Sequence, residues 1–138
     1  NILDKLKKKY LDNNIQSNIF TFDNDILNSM SKCNIAITRC GASTIAELVY
    51  LNIPFIGIPF PFAKDNHQFY NAKFYEENDC CWLYKQKDIS LNKMLDLFNR
   101  IIENPNLYLK KYENLSKISY EYDWNNVNKK LIDLLNEN

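Results

Sequence analysis

Short apolar segments alternate with helical segments along the chain, and this order restricts the fold more than any other feature. The predicted strands are residues 19–22, 35–38, 54–58 and 80–84. The third of them is nearly all apolar, which is expected when helices cover both faces of a strand. Alternating strands and helices indicate βαβ units. The sequence therefore predicts one Rossmann-like α/β domain, with a parallel sheet flanked by helices.

Apolar residues at helical spacing, together with potential cap residues, define the helices. The predicted helices are residues 3–11, a short one capped by Asp23 or Asn24, and then about 44–51, 65–77, 90–103, 105–122 and 124–135. One helix precedes the first predicted strand, and the others lie between or after the strands, as expected for a sheet covered on both faces.

The composition is that of a globular domain with a sizeable core. The chain has 138 residues, of which 46% are hydrophobic and 25% charged. Lys+Arg and Asp+Glu number 17 each, so no net charge favours nucleic acid as a partner. The longest apolar stretch, residues 53–63, contains prolines and is shorter than the roughly 18–20 residues of a membrane span.

The four cysteines indicate the redox environment of the protein, and the first residue indicates whether the sequence is a fragment. Cys33, Cys40, Cys80 and Cys81 have no spacing typical of a zinc site. We expect reduced, mostly buried thiols, as in a cytoplasmic protein. The chain does not begin with Met and runs directly into a helical pattern, so we expect it to be a fragment of a longer protein.

Small and polar residues follow the second predicted strand, and ligands of open α/β sheets bind outside the carboxyl ends of strands. Gly41 permits close approach of a ligand, and Ala42, Ser43 and Thr44 lead into a helix. Free backbone N–H groups and the positive end of the helix dipole suit such a turn to a diphosphate. Glu47 follows one turn later, where its carboxylate can accept two hydrogen bonds from a ribose diol.

The same helix start also has a purely structural interpretation. Thr44-x-x-Glu47 matches a capping box, in which each side chain bonds the backbone N–H of the other residue. Capping is the commoner meaning of this spacing, and a single glycine-containing turn is a weak signal of ligand binding. Spacing alone leaves both interpretations open.

A second group of polar residues follows the third predicted strand. His67 and Gln68 stand at the start of a helix and offer the donors and acceptors that sugar hydroxyls need. The alternative is a solvated first turn with Asp65 as N-cap. The local pattern shows no Ser or Cys nucleophile with a suitable base, so it does not predict a catalytic role for His67.

Phe22 ends the first predicted strand, where an aromatic ring can stack on a nucleobase. An aromatic residue at a strand end is more often part of the core, so this role is also open. Asp23, Asn24 and Asp25 follow it without the spacing of a calcium loop. A helix N-terminus, which favours acidic residues, explains them better, and the sequence predicts no metal site.

Taken together, these motifs resemble the C-terminal domain of the MurG family of glycosyltransferases, glycosyltransferase family 28, which has the GT-B fold. The resemblance is carried by Arg39-x-Gly41-Ala42-Ser43-Thr44-Ile45-Ala46-Glu47-Leu48, then Pro54, Pro59-Phe60-Pro61 and Asp65-Asn66-His67-Gln68-x-x-Asn71-Ala72. It is dense over residues 22–82 and looser towards the end of the chain.

The resemblance implies a site for the donor UDP-N-acetylglucosamine, with the base at one end. Phe22 would cap the uracil ring, the backbone of Asp23 would bond the edge of the base, and Ile26 would flank it. The diphosphate would lie against the turn formed by Ala42, Ser43 and Thr44, followed in the same run by Ile45 and Ala46.

The resemblance also gives roles to the residues at the ribose and sugar end of the donor. Glu47 would bind both ribose hydroxyls, and the family match favours this role over capping. Gln68, with His67 beside it, would read the hydroxyls of N-acetylglucosamine. The resemblance implies no metal and no cofactor, because backbone amides and the helix end take the charge of the diphosphate.

Members of the family transfer N-acetylglucosamine from UDP to lipid I with inversion, giving lipid II for peptidoglycan synthesis and thereby serving cell shape and division. They act peripherally at the cytoplasmic face of the bacterial membrane. Their N-terminal domain binds the acceptor and supplies the proposed general base, and it has no counterpart in residues 1–138. The resemblance therefore implies a donor-binding domain that holds no catalytic residue and is not competent alone.

Two alternatives to this interpretation stay open at the level of sequence. One is the small donor-binding subunit of the two-chain N-acetylglucosaminyltransferase of dolichol-linked glycan synthesis, which has a similar Asp65-Asn66-His67-Gln68 motif. The run Pro59-Phe60-Pro61 favours the peptidoglycan enzyme over that subunit. The other alternative is a non-catalytic nucleotide-binding domain, in which Glu47 only caps its helix.

Overall fold

The computed structural model describes residues 1–136. The helices are α1 (Ile2–Asp12), α2 (Ile26–Met30), α3 (Ala42–Tyr50), α4 (His67–Glu77), α5 (Leu91–Glu103), α6 (Asn106–Glu121) and α7 (Trp124–Asn136). The strands are β1 (Ala36–Thr38), β2 (Phe55–Gly57) and β3 (Cys81–Leu83). Short 3-10 turns, Lys64–Asn66 and Gln86–Asp88, lie before α4 and before α5.

The three strands form a parallel sheet in the order β1-β2-β3. Ile56 of β2 is in register with Ile37 of β1 and with Trp82 of β3. Helix α3 connects β1 to β2 and α4 connects β2 to β3, so the predicted Rossmann-like α/β arrangement is confirmed. Because the strands are parallel, their carboxyl ends meet at one edge of the sheet, which we call the carboxyl edge.

The core lies between the sheet and helices α3, α4 and α6. Every residue of β2 is buried. Phe55, Leu48 and Leu115 are the largest fully buried side chains of this cluster. Ile56 points to the opposite face of the sheet and is also fully buried. Both faces of β2 are therefore buried, as its apolar sequence predicted.

Gly57 allows β2 to pack closely against the turn that precedes α3. A Cβ atom on Gly57 would lie 2.9 Å from Sγ of Cys40 and 3.5 Å from Cβ of Ala72. Cys40 and Ala72 are both fully buried, so neither side chain can move into solvent. The absence of a side chain at Gly57 thus allows β2 and this turn to approach closely near the carboxyl edge.

We expect Gly57→Ala to lower the free energy of unfolding by about 1–3 kcal/mol, the usual effect of adding a methyl group to a filled core. Adding Cys40→Ala removes the opposing sulfur, so the double variant should lose less stability than the sum of the two single changes. Urea denaturation of the four proteins measures this coupling. Additive losses would contradict the steric explanation.

Asp79 and two lysines tie α6 to the turn before β3. Nζ of Lys110 lies 2.8 Å from Oδ2 of Asp79, and Nζ of Lys111 lies 2.5 Å from Oδ1. These hydrogen bonds, first that of Lys110 and then that of Lys111, hold the pKa of Asp79 below its usual range. Lys111 is buried, and its ammonium lies 4.8 Å from the ring centroid of Trp82.

The cysteines are free thiols, and most of them are buried as predicted. Cys33 is exposed, whereas Cys40, Cys80 and Cys81 are buried. Burial raises the pKa of Cys40 and Cys80 to about 11 and that of Cys81 to about 12. These three thiols are therefore core residues rather than nucleophiles.

The prediction of a strand at residues 19–22 is wrong. Among residues 1–136, β1 pairs with β2 alone, so this segment has no neighbouring strand to bond its backbone groups. Phe22 is 77% exposed, so it is not a core residue in this structure. An apolar pattern favours a strand, but a strand forms only where a neighbouring strand can pair with its backbone N–H and C=O groups.

The structure also corrects the predicted starts of α2 and α6. Asp25, rather than Asp23 or Asn24, is the N-cap of α2, and its side chain accepts the amide of Asn28 at 3.4 Å. The Asp23 carboxylate accepts instead from the Ser29 hydroxyl and the Asp25 amide, and these bonds, in that order, lower its pKa. The second correction is small, since α6 begins one residue after the predicted position 105.

Helices α1 and α7 form as predicted but contain no buried residue. Leu11 of α1 is 76% exposed and Leu135 of α7 is 70% exposed. No helix within residues 1–136 combines the length and the apolar character needed to cross a membrane.

Candidate functional site

The loops after β1 and β2 are joined at the carboxyl edge by one arginine. The Arg39 guanidinium donates to the carbonyl oxygens of Ile58 and Pro59, at 3.2 Å each. It also lies over the ring of Phe60, 5.8 Å from its centroid. Arg39 therefore holds the Pro59–Pro61 segment (residues 59–61) beside the start of α3.

Two side chains of α4 join this helix to the same loops. The Asn71 amide donates to the carbonyl of Cys40 at 3.1 Å, and Oε1 of Gln68 accepts the amide of Phe60 at 2.9 Å. The first turns of α3 and α4 consequently lie side by side at the carboxyl edge. Sequence reasoning missed Arg39 and Asn71 as positioning residues, although both belong to the motifs that carry the family resemblance.

The N-terminus of α3 has no side-chain cap. Gly41 is its N-cap, with φ −67° and ψ 144°, and the first backbone bond of the helix runs from the Ile45 amide to the Gly41 carbonyl at 3.0 Å. The amides of Ala42, Ser43 and Thr44 thus have no partner within the helix. They point outward at the positive end of the helix dipole, as an anion site requires.

The capping-box interpretation of Thr44 and Glu47 is wrong. A capping box needs its first member at the N-cap, and that position belongs to Gly41, whereas Thr44 is the third helical residue. Glu47 lies one turn further into α3 and is half-buried. Its carboxylate is therefore not used to cap the helix.

The start of α4 has an unusual backbone. Asp65 and Asn66 have φ values of 51° and 52°, in the left-handed region that Asp and Asn adopt more readily than other residues with a side chain. Asn66, not Asp65, is the N-cap of α4, and it makes no side-chain cap bond. The alternative that made Asp65 the cap of a solvated turn is therefore wrong, although the turn itself is exposed.

His67 is oriented by the turn before it. Its Nδ1 lies 2.8 Å from the carbonyl oxygen of Lys64, and a carbonyl only accepts, so Nδ1 carries the proton. In the neutral ring Nε2 is then left as an acceptor. His67 is exposed and Gln68 is half-buried, so both stand at the surface of the carboxyl edge.

Two residues of the predicted site do not face the carboxyl edge. Ile45 is 2% exposed and belongs to the core cluster, so its side chain cannot contact a ligand there. Ala46 lines a separate cavity between α3, α6 and α7, together with Tyr120 and Trp124. The helical period turns these two side chains away while Ser43 and Glu47 share another face.

Phe22, Asp23 and Ile26 lie on the segment that leads into α2. Phe22 is 77% exposed and Ile26 is 38% exposed. Within residues 1–136, no hydrogen bond or ring contact joins these three residues to the loops after β1 and β2. Their role at the base end of a nucleotide stays a prediction.

Two cavities open at the carboxyl edge. The smaller, about 360 Å³, is lined by Ile37, Thr38, Arg39, Ile58, Gln86 and Ile89. The larger, about 540 Å³, lies among the Pro59–Pro61 segment, the first turns of α4 and the loop after β3. No three His, Cys, Asp or Glu side chains in residues 1–136 come together as metal ligands would.

A parallel α/β sheet with an uncapped helix N-terminus at its carboxyl edge defines the class of this protein, a Rossmann-like α/β domain. The family described as "Glycosyltransferase family 28 C-terminal domain" matches residues 1–125. The chain belongs to this family.

The sequences of two relatives support this assignment. A protein of Pelagibacter ubique (strain HTCC1062) is 46% identical over 135 residues, 98% of this chain and 38% of the relative. A protein of Rickettsia bellii (strain RML369-C) is 40% identical over 113 residues, 82% of this chain and 32% of the relative. Both are named UDP-N-acetylglucosamine–N-acetylmuramyl-(pentapeptide) pyrophosphoryl-undecaprenol N-acetylglucosamine transferase. The chain thus spans well under half the length of either relative.

A solved structure confirms the fold. The "Crystal structure of acinetobacter baumannii MurG" matches with a TM-score of 0.73 over 83% of this chain and 33% of that chain, at 23% sequence identity. The predicted fold, the α/β C-terminal domain of a GT-B glycosyltransferase, is therefore confirmed.

Proposed function

We propose that this chain is the donor-binding domain of an inverting N-acetylglucosaminyltransferase of bacterial peptidoglycan synthesis. The enzyme would move N-acetylglucosamine from UDP onto lipid I, giving lipid II. Family membership supports the proposal, as do the names of both relatives, which specify this donor and an N-acetylmuramyl-(pentapeptide) pyrophosphoryl-undecaprenol acceptor. Neither name is that of an enzyme of dolichol-linked glycan synthesis, so the peptidoglycan interpretation is favoured.

The observation that carries the proposal is the uncapped N-terminus of α3 with Glu47 one turn behind it. The amides of Ala42, Ser43 and Thr44 would hold the diphosphate, and the Glu47 carboxylate would accept both ribose hydroxyls. When the sugar departs, negative charge grows on UDP, and amides already aimed at that charge lower the barrier. The neutralising charge comes from the backbone and the helix dipole.

The start of α4 would hold the sugar. Oε1 of Gln68 is used by the Phe60 amide, which leaves the NH₂ group of Gln68 as a donor to a sugar hydroxyl. His67 beside it would accept through Nε2. Together they would orient the anomeric carbon towards the acceptor, and this alignment is the main catalytic contribution of the chain.

The other end of the donor and the rest of the enzyme complete the proposal. Phe22 would stack on uracil, the backbone of Asp23 would bond the edge of the base, and Ile26 would flank it. A further domain, preceding this one in the longer protein, would bind lipid I and supply the general base. The enzyme would act peripherally at the cytoplasmic face of the bacterial membrane, where its lipid-linked acceptor lies.

Calorimetry on the full-length protein tests the proposal. The most specific variant is Gln68→Glu, which tests the contact to the sugar. We expect UDP-N-acetylglucosamine to bind more tightly than UDP. In Gln68→Glu this preference should fall about tenfold, because the NH₂ donor is lost while an oxygen remains for the Phe60 amide. The affinity for UDP itself should not change.

Gln68→Ala is the matched control, because it removes both the donor and the bond to Phe60. Equal loss of the sugar preference in both variants would assign the effect to the NH₂ group. A protein that binds neither UDP nor UDP-N-acetylglucosamine would contradict the proposed function. A Gln68→Glu protein that keeps the full sugar preference would remove Gln68 from the site.

A further inference from the structure

The 540 Å³ cavity at the carboxyl edge has the size of a ligand pocket and lies beside the proposed sugar site. Three segments form it: residues 59–61, the N-cap and first turn of α4 at Asn66, Phe69 and Tyr70, and residues 85–87. Phe60 belongs to its wall, and the Phe60 amide is bonded by Gln68. The cavity and the proposed sugar site therefore share one loop.

The wall of this cavity carries positive charge without a matching negative charge. Lys85 and Lys87 line it, and its other lining residues are apolar, aromatic or amide side chains. The Lys85 ammonium lies 5.6 Å from the ring centroid of Phe69, which holds it against the wall. Within the described residues 1–136, no carboxylate lies within 4.0 Å of either lysine.

Aromatic side chains give the cavity an apolar part as well. Phe60 and Tyr70 are 45% and 65% exposed, and the ring of Phe69 packs edge-on against Tyr70 with centroids 5.6 Å apart. Exposed aromatic rings beside unpaired ammonium groups suit an anionic group attached to a larger, less polar molecule.

On the basis of the proposed function, we propose that this cavity receives an acidic group of the acceptor. Lys85 and Lys87 would then add contacts to the acceptor beyond those made by the further domain. The donor diphosphate would bind at the N-terminus of α3, whose residues do not line this cavity. The acceptor named for the relatives carries a pyrophosphate and a peptide, both anionic. Its attacking hydroxyl must approach the sugar held near Gln68, so the acceptor would bind at the edge of the domain where this cavity opens.

Steady-state kinetics of the full-length enzyme, with a lipid-linked acceptor of shortened prenyl chain, test the inference. Lys85→Gln and Lys87→Gln should each raise the acceptor KM about tenfold, since each removes one charge-assisted contact. The donor KM should not change. Lys85→Arg keeps the charge and should restore the acceptor KM. Lys93→Gln, an exposed lysine of α5 outside the cavity, is the matched control.

The same variants distinguish the two acidic groups of the acceptor. If the peptide carboxylates occupy the cavity, an acceptor without the peptide should show equal KM values in the wild type and in the Gln variants. If the pyrophosphate occupies it, that truncated acceptor should still show the tenfold rise. Either result supports the inference.

Three results would overturn it. An acceptor KM that stays unchanged in both Gln variants, with normal donor binding, removes the lysines from the acceptor site. Variants that lose binding only to anionic phospholipid vesicles, with normal kinetics on the short-chain acceptor, make this surface a membrane contact instead. Failure of the unsubstituted enzyme to bind UDP-N-acetylglucosamine would overturn the proposed function together with this inference.

Discussion

Glu47→Ala is expected to weaken binding of UDP by about 100-fold and to abolish the preference for UDP over 2′-deoxy-UDP. The proposed contact consists of two hydrogen bonds from ribose hydroxyls to one carboxylate, and a bond to a charged group contributes about 1.5–3 kcal/mol. A loss of about 1.4 kcal/mol is a factor of ten in affinity, so two such bonds give the expected effect. Calorimetric titration of the full-length protein with both nucleotides measures it.

The comparison with 2′-deoxy-UDP makes this experiment specific to the ribose contact. The wild type should bind 2′-deoxy-UDP about tenfold more weakly than UDP, because one of the two bonds is missing. The Glu47→Ala protein should bind both ligands equally. Glu113→Ala, at an exposed carboxylate of α6, is the control for the change of charge.

The same variant separates the proposed enzyme from a non-catalytic domain. If Glu47 only stabilised the start of its helix, Glu47→Ala would lower the stability by about 1 kcal/mol and leave UDP binding intact. The structure argues against that outcome, since the N-cap of α3 is Gly41 and no side chain caps it. A stability loss without an affinity loss would return Glu47 to a structural role.

Ala42→Pro is expected to weaken binding of UDP by about 10-fold to 100-fold while leaving the stability of the protein nearly unchanged. Ala42 is the first residue of α3, where proline is well tolerated because the amide has no helical partner. The preceding Gly41 has φ −67° and ψ 144°, the extended conformation that a following proline requires. The substitution thus removes one N–H group from the proposed diphosphate site without disturbing the helix.

Leu91→Pro is the matched control for Ala42→Pro. Leu91 is the first residue of α5, is 74% exposed, and follows Ser90 with φ −137° and ψ 161°. Both prolines therefore occupy the same helical position, and only the one at residue 42 should weaken UDP binding. Binding of uridine, which has no phosphate, should be the same in both variants and the wild type. Unchanged UDP affinity in Ala42→Pro would show that the Ala42 amide does not hold the diphosphate.

The sequence by itself determined the class of fold and the family. Strands at residues 35–38, 54–58 and 80–84, separated by helical segments, were enough to predict a parallel α/β sheet, and the observed strands lie within them. Apolar content and period are local properties, so the sequence states them directly. The motifs around Gly41 and Gln68 likewise identified the family, because they combine several rare choices of residue.

Only the tertiary structure excluded two of the structural interpretations, the capping box at Thr44 and the strand at residues 19–22. The start of α3 at Ala42 excluded the capping box, and this start depends on the backbone angles of Gly41 rather than on spacing. Residues 19–22 have the composition of a strand but form none, because no other strand of residues 1–136 lies beside them to bond their backbone groups. Ile45 and Glu47 differ in burial because the core covers only one face of α3.

The contacts that assemble the carboxyl edge could not be predicted from the sequence either. The bond from Asn71 to Cys40 joins residues 31 positions apart, and the bonds of Arg39 cross 19 and 20 positions. Residues 85–87 reach the cavity beside Phe60 only because β3 pairs with β2. Such contacts depend on how the strands are ordered in space, and a local pattern of residues carries no information about partners that distant.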